Sequence, residues 1–169
     1  MRPLFLIQCI VFVAGSLTYA YGDDDAPRAA PGAPPTGAFS CSPIWVHDGD
    51  TFTCSDMTRI RVAGINAREI GWDGRKNSDK GCNSGAPCPT VDAVAARDRL
   101  VALLGSPSGL DANGNMRLAG PALTCEPNGT TYNRIAAFCR SPISGNISCA
   151  MVASGAAAKW DRFWTGHRC

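Results

Sequence analysis

The sequence predicts an α+β domain: a small five-stranded β-barrel with two to three helices packed on it. Three observations carry that prediction. Short β-rich runs separated by turn residues lie between 42 and 65, one capped helical stretch follows, and two further strand-like runs precede a second helical stretch.

The elements follow in order. Ser42 to His47 and Phe52 to Cys54 are rich in β-formers, and Asp48-Gly49-Asp50 between them has the chemistry of a hairpin turn. Thr58 to Ile65 alternates, with Arg59, Arg61 and Ala63 on one face and Ile60, Val62 and Gly64 on the other, so three successive strands form a meander. Ile70 to Pro89 reads as a loop, because Gly71, Gly74, Gly81 and Gly85 break any period, while Arg75, Lys76 and Lys80 make it basic. Thr90 to Leu104 reads as the best helix, opened by Pro89-Thr90 with Asp92 in its first turn and closed by Gly105. Its apolar stripe is Ala93, Ala96, Leu100, Leu103 and Leu104. Met116 to Cys125 and Ile135 to Cys139 flank a turn around Asn128-Gly129, and Asn146 caps a last helix running through Lys159 with Ile147, Ala150 and Met151 inward.

Residues 1–20 have the three parts of a secretory signal peptide: Arg2, an apolar block from Leu4 to Ala14 about half as long as a membrane span requires, and Thr18-Tyr19-Ala20 ending in a small residue. Residues 21–40, rich in Pro, Ala and Gly, read as a linker that cannot bury enough apolar surface to order itself. The folded domain is then 41–169, a secreted or periplasmic monomer with no membrane attachment after cleavage. It holds 14 Lys and Arg against 11 Asp and Glu, an excess that permits a polyanionic partner without requiring one.

Eight cysteines remain in that domain, and an even number in an exported chain argues for four disulfides. The absence of any Cys-x-x-Cys, with His47 and His167 the only histidines, excludes an ordinary zinc site. Cys82 with Cys88 closes a small loop, and Cys125 with Cys139 flank the Asn128-Gly129 turn region, so that they could face each other across a hairpin. Cys149 with Cys169 and Cys41 with Cys54 follow by elimination.

The most informative residues are Val46-His47-Asp48-Gly49-Asp50-Thr51, then Arg61-Val62-Ala63-Gly64-Ile65-Asn66-Ala67-Arg68-Glu69, then Tyr132-Asn133-Arg134. Together these motifs resemble the thermonuclease family, the staphylococcal nuclease-like phosphodiesterases, over most of 46–159. The resemblance implies an oligonucleotide-binding-type five-stranded barrel and a secreted, Ca²⁺-dependent endonuclease acting on DNA or RNA, chiefly single-stranded. By its spacing, Arg61 and Arg134 bind the scissile phosphate and Glu69 serves the attacking water, while Asp50, the Asn66 side chain and the Ala67 carbonyl hold the ion. Asp48 is a turn-former. Tyr132, Arg68, Trp72 and Lys76 are candidates for contact with the nucleic acid through stacking and charge.

Three departures stand out. Asn66 replaces the family's metal-binding aspartate, Arg68 replaces a proline, and Asn133 replaces the glycine of Tyr-Gly-Arg. An amide oxygen still coordinates a hard cation but brings no charge, so weaker cation binding is expected. Asn tolerates the left-handed backbone that glycine would supply. The competing reading is a nuclease-fold module that binds nucleic acid or another ligand without turning it over. Asp111 to Asn115 begins like a calcium loop, yet Met116 and Ala122 occupy its required glycine and glutamate positions. Trp160, Phe163 and Trp164 read as core cover.

Overall fold

The computed structural model describes residues 35–169. The signal segment and most of the linker, 1–34, lie outside the described residues. The first ladder begins at Phe39, two residues inside the Pro/Ala/Gly-rich stretch, where β1 (Phe39–Cys41) pairs with β10.

The architecture is α+β. In chain order it comprises β2 (Pro43–Val46), β3 (Thr51–Cys54), β4 (Arg59–Val62), β5 (Ile65–Asn66), β6 (Ile70–Trp72), β7 (Asn77–Asp79), α1 (Ala93–Leu104), β8 (Ser106–Leu110), β9 (Met116–Ala119), β10 (Leu123–Thr131), β11 (Arg134–Ser141), β12 (Gly145–Asn146), α2 (Ile147–Ala153) and β13 (Ala158–Lys159). The large sheet runs β1-β10-β11-β4-β3-β2-β9-β8, with β12 beside β11. The β2-β3-β4 meander is antiparallel as expected, and β11 joins β4 in parallel. The hydrogen-bonded path is open, without ladder closure into a barrel.

Alternation in the meander sorts side chains by face. Val46, Phe52, Ile60 and Val62 are buried in the core, where α1 lays its whole expected stripe, Ala93, Ala96, Leu100, Leu103 and Leu104, against the sheet. Asp92 is the cap of α1 itself, accepting from the Val94 and Ala95 amides, so the helix starts after Asp92 and not at Thr90. Gly49 must be glycine because a Cβ there would sit 2.6 Å from Ala67 Cβ and 2.8 Å from Ala96 Cβ. The tip of the β2–β3 turn is thereby pressed between α1 and the segment after β5.

Several expectations need correction. The region 70–89 contains a short hairpin, β6–β7, whose turn is held by Asp73 Oδ1 accepting from the Arg75 and Lys76 amides at 2.9 Å each. The β10–β11 hairpin turns at Tyr132-Asn133. Asn128-Gly129 forms a bulge instead, where the register shifts between Pro127 and Thr130. The left-handed residue of the turn is Tyr132 (φ 54°), not Asn133. The last helix stops at Ala153, and the chain returns as β13 to pair with β5. Strand β8 was hidden by its Ser-Pro-Ser-Gly composition, which an exposed edge strand accommodates.

All four expected disulfides are present: Cys41–Cys54, Cys82–Cys88, Cys125–Cys139 and Cys149–Cys169. Cys125 and Cys139 face each other directly across the β10–β11 ladder. No described helix is long and apolar enough to cross a membrane.

Candidate functional site

Strand ends bring the distant motifs to one place. Asp50 leaves the β2–β3 turn, which Asp48 stabilises by accepting the Asp50 amide at 2.9 Å. The Asp50 carboxylate is 1% exposed and fully engaged. Its Oδ1 is paired with the Arg61 guanidinium and accepts from Thr51 Oγ1 at 3.1 Å, while its Oδ2 accepts the Ala67 amide at 2.7 Å. Thr51 and Arg61 are register partners across β3 and β4, and Arg61 partners Ala136 across to β11, so the ladder fixes this group.

Arg61 Nη2 also donates to Asn66 Oδ1 at 2.9 Å. One guanidinium thus bridges the carboxylate of Asp50 and the amide oxygen of Asn66. Asn66, 1% exposed, spends its other end donating to the Pro87 carbonyl at 2.9 Å. From the start of β11, Arg134 Nη1 donates to Thr51 Oγ1 at 3.1 Å. The two arginines therefore reach the Asp50–Thr51 corner from adjacent strands.

Glu69 lies on the short connection between β5 and β6. Its Oε1 accepts from Asn83 Nδ2 at 2.9 Å, and its backbone pairs with Gly81 and Lys80 at 2.7 and 2.9 Å. Burial and the neighbouring negative charge of Asp48 push the Glu69 carboxyl above the usual glutamate range, opposed by Arg61 and Arg134. Along the chain Glu69 stands two residues after Ala67, whose amide the Asp50 carboxylate holds. Burial likewise raises Asp48, again against Arg61 and Arg134. Arg61 is lowered by burial first, while Asp48 supports its charge and Arg134 opposes it.

The remaining candidates have other employment. Arg68 Nε pairs with Asp79 Oδ2 at 2.7 Å, so this arginine ties β7 back to the site segment. Trp72 Nε1 donates to the Ala112 carbonyl at 3.1 Å, docking the β6–β7 hairpin on the 111–115 turn. Lys76 is exposed at the tip of that hairpin. Tyr132 is 96% exposed beside Arg134, whose guanidinium carbon lies 6.0 Å from its ring centre.

A cavity of about 310 Å³ adjoins the corner, lined by Arg61, Gly64, Asn128, Ala136, Trp160 and Phe163. Trp160 and Phe163 meet edge to face with ring centres 4.8 Å apart, and Phe163 is 42% exposed. These aromatics had read as core cover. Their spacing after α2 gave no sign that the chain reverses through β13 and lays them against β4.

Among the described residues, no three His, Cys, Asp or Glu side chains converge as a metal cluster. Of the three expected cation donors, Asp50 and the Asn66 side chain meet at the corner, whereas Ala67 brings its amide there and turns its carbonyl toward Cys82. Asp50 and Asn66 already share a positive group, the Arg61 guanidinium, so their oxygens point to a common cationic locus. The Ala67 carbonyl faces Cys82 Sγ at 3.9 Å, a disulfide sulfur with no proton to give. Hard oxygen donors of this kind suit Ca²⁺ in chemistry, though with one negative charge among them.

Compared with protein-family models and with curated proteins, the chain finds no match.

Proposed function

We propose that this protein is a secreted, thermonuclease-like phosphodiesterase that hydrolyses single-stranded DNA or RNA with Ca²⁺. The observation that supports this most is the meeting of Asp50, Arg61 and Arg134 at one corner from three separate segments, with Glu69 two residues beyond the Ala67 amide that Asp50 holds. Two guanidinium groups match the oxygens of a phosphodiester and keep their charge at working pH. Fixed there by the ladder, they oppose the negative charge that builds on phosphorus in the transition state. Glu69 is positioned to accept a proton from water, a role for which a carboxyl raised above its usual range is a better base. Asp50, the Asn66 oxygen and the Ala67 carbonyl would hold the cation, which when bound polarises a phosphoryl oxygen. The cavity beside Arg61, with Trp160 and Phe163 in its wall, is suited to a base or sugar of the bound strand.

The barrel reading has support of its own. Strands β2-β3-β4-β11-β10 are hydrogen-bonded in sequence, and β10 is joined through residues 120–122 to β9, which returns to β2. A five-stranded oligonucleotide-binding barrel with one strand broken at Gly120-Pro121-Ala122 has this circuit.

One observation favours the second reading, a binder without turnover. The Arg61 guanidinium bridges Asp50 and Asn66, so a cation must displace it from both. Incubating the oxidised protein with single-stranded DNA, with Ca²⁺ and with chelator, separates the two. Cleavage abolished by chelator supports the enzyme. Salt-sensitive retention without cleavage under either condition supports the binder. Neither cleavage nor retention contradicts both.

A further inference from the structure

We infer that the loop closed by Cys82–Cys88 is a strap that sets the reactive geometry, with Asn83 as the positioning residue for Glu69, so that turnover depends on the oxidation state of this one disulfide. The inference rests on the phosphodiesterase reading and adds regulation to that site.

Glu69 and Asn66 are site residues whose backbone lies outside the large sheet, although Arg61 of β4 reaches across to the Asn66 oxygen. Asn66 closes β5, a two-residue strand paired only with β13, and Glu69 stands between β5 and β6. Both are held from the strap. Asn83, next to Cys82, donates to Glu69 Oε1 at 2.9 Å, and the carbonyl of Pro87, next to Cys88, accepts from Asn66 Nδ2 at 2.9 Å. The segment leading into the strap is bound to the same stretch through Glu69 N to Gly81 O, Lys80 N to Glu69 O and Arg68 to Asp79. Within the loop, Ala86 N donates to Asn83 O at 3.2 Å, a modest internal restraint for the run Asn83-Ser84-Gly85-Ala86-Pro87. The bridge, with its Cα atoms 5.7 Å apart, is what keeps Asn83 and Pro87 at their two stations.

Its exposure sets this disulfide apart from those of the sheet. Cys41, Cys54, Cys125 and Cys139 are at most 2% exposed, whereas Cys88 is exposed and Cys82 half-buried. A small dithiol can therefore attack Cys88 Sγ. Its thiolate forms a mixed disulfide and releases Cys82 as a thiolate, which takes up a proton. The second thiol of the reagent then closes on the first, freeing Cys88 as a thiol and leaving the reagent as its cyclic disulfide.

The test uses the mature chain with the other three disulfides intact. In Cys82→Ser/Cys88→Ser and in Asn83→Ala, kcat on single-stranded DNA with Ca²⁺ falls about 10- to 100-fold while KM stays within about twofold, the signature of a misplaced reacting group. Asn83→Gln, which keeps an amide donor, recovers part of the loss. The triple variant loses no more than the cysteine pair alone, because both changes remove one coupling. Hydrogen exchange gives an arm independent of turnover: the Glu69 and Lys80 amides exchange faster in the cysteine variant, and the Val62 amide, held by the Asp50 carbonyl, does not. Should the variant fail to fold, brief dithiol treatment of a Cys149→Ser/Cys169→Ser protein, whose only accessible disulfide among the described residues is Cys82–Cys88, reproduces both effects. Unchanged kcat with faster exchange, or fully additive losses in the triple variant, overturns the strap. An oxidised protein that never cleaves contradicts the phosphodiesterase reading instead, and unchanged exchange at Glu69 and Lys80 then overturns the strap by itself.

Discussion

The corner is built from two regions of different construction. On one side Asp50, Thr51, Arg61 and Arg134 stand on β3, β4, β11 and the turn before them, each fixed by ladder registers and by a buried core. On the other, Asn66 and Glu69 depend on a short connection and a disulfide-closed loop carrying Asn83 and Pro87. The sheet side carries the arginines, whose task is to meet charge at a fixed place. The loop side carries the proposed base and two of the three proposed cation donors, Asn66 and Ala67, groups whose geometry can be relaxed without unfolding the domain. On the sheet side reactivity is tied to the stability of the fold, while on the loop side the reacting groups can shift with the sheet intact, so changes on the two sides should differ in kind.

The largest effect belongs to the sheet side. Arg61→Ala removes the partner of a buried carboxylate, so it should lower the unfolding free energy by about 3 kcal/mol in denaturant titration. Turnover should fall by about 10²- to 10³-fold. A variant that lost turnover at unchanged stability would break the proposed division. On the loop side, Asn66→Asp adds the charge missing from the cation donors, so calorimetric titration should show tighter Ca²⁺ binding. It also turns a donor to the Pro87 carbonyl into a second acceptor, which should cost about 1–3 kcal/mol of stability. The Asn66 amide thus does more than offer an uncharged oxygen to a cation, since it fastens the strap.

What the sequence discloses follows the same division. Asp50, Arg61 and Arg134 could be found because their motifs resemble those of the thermonuclease family, whose spacing picks Arg61 over Arg59, while alternation and turn chemistry supplied only the strands around them. Asn83 and Pro87 could not, because they lie in a glycine-rich run without period and act on residues 14 and 21 positions away. Arg68 and Trp72 had the composition of a nucleic-acid surface, but composition does not tell whether a guanidinium or indole will find Asp79 or the Ala112 carbonyl first. Asn128-Gly129 has true turn chemistry and is spent on a bulge, since Cys125 opposite Cys139 fixes a register that turns at Tyr132-Asn133. The break between β9 and β10 is the least legible feature, because the two read as one strand from Met116 to Cys125 and the structure interrupts it.

Two smaller effects sharpen the comparison from the frame. Asp92→Ala removes the cap of α1 and should cost about 1 kcal/mol, with kcat unchanged because the helix packs under the core and not on the reacting groups. The smallest concerns His47, held between Asn115 Oδ1 at 2.8 Å and Thr53 Oγ1 at 2.7 Å. Burial, with Arg59 adding to it against the Asn115 hydrogen bond, holds its imidazole below the ordinary value of 6.5. The unfolded chain then binds more protons there, so stability should decline as pH falls through 6.5 and below. His47→Gln should flatten that part of the profile of unfolding free energy against pH.

The most direct measurement is Ca²⁺-dependent hydrolysis of a single-stranded oligonucleotide by the oxidised wild-type protein and by Glu69→Gln. The account predicts a wild-type turnover that chelator abolishes and a loss of about 10²- to 10⁴-fold in Glu69→Gln, with the unfolding free energy changed by less than about 0.5 kcal/mol. Equal turnover in the two proteins would contradict it, because the corner would then be doing its chemistry without the carboxylate placed there.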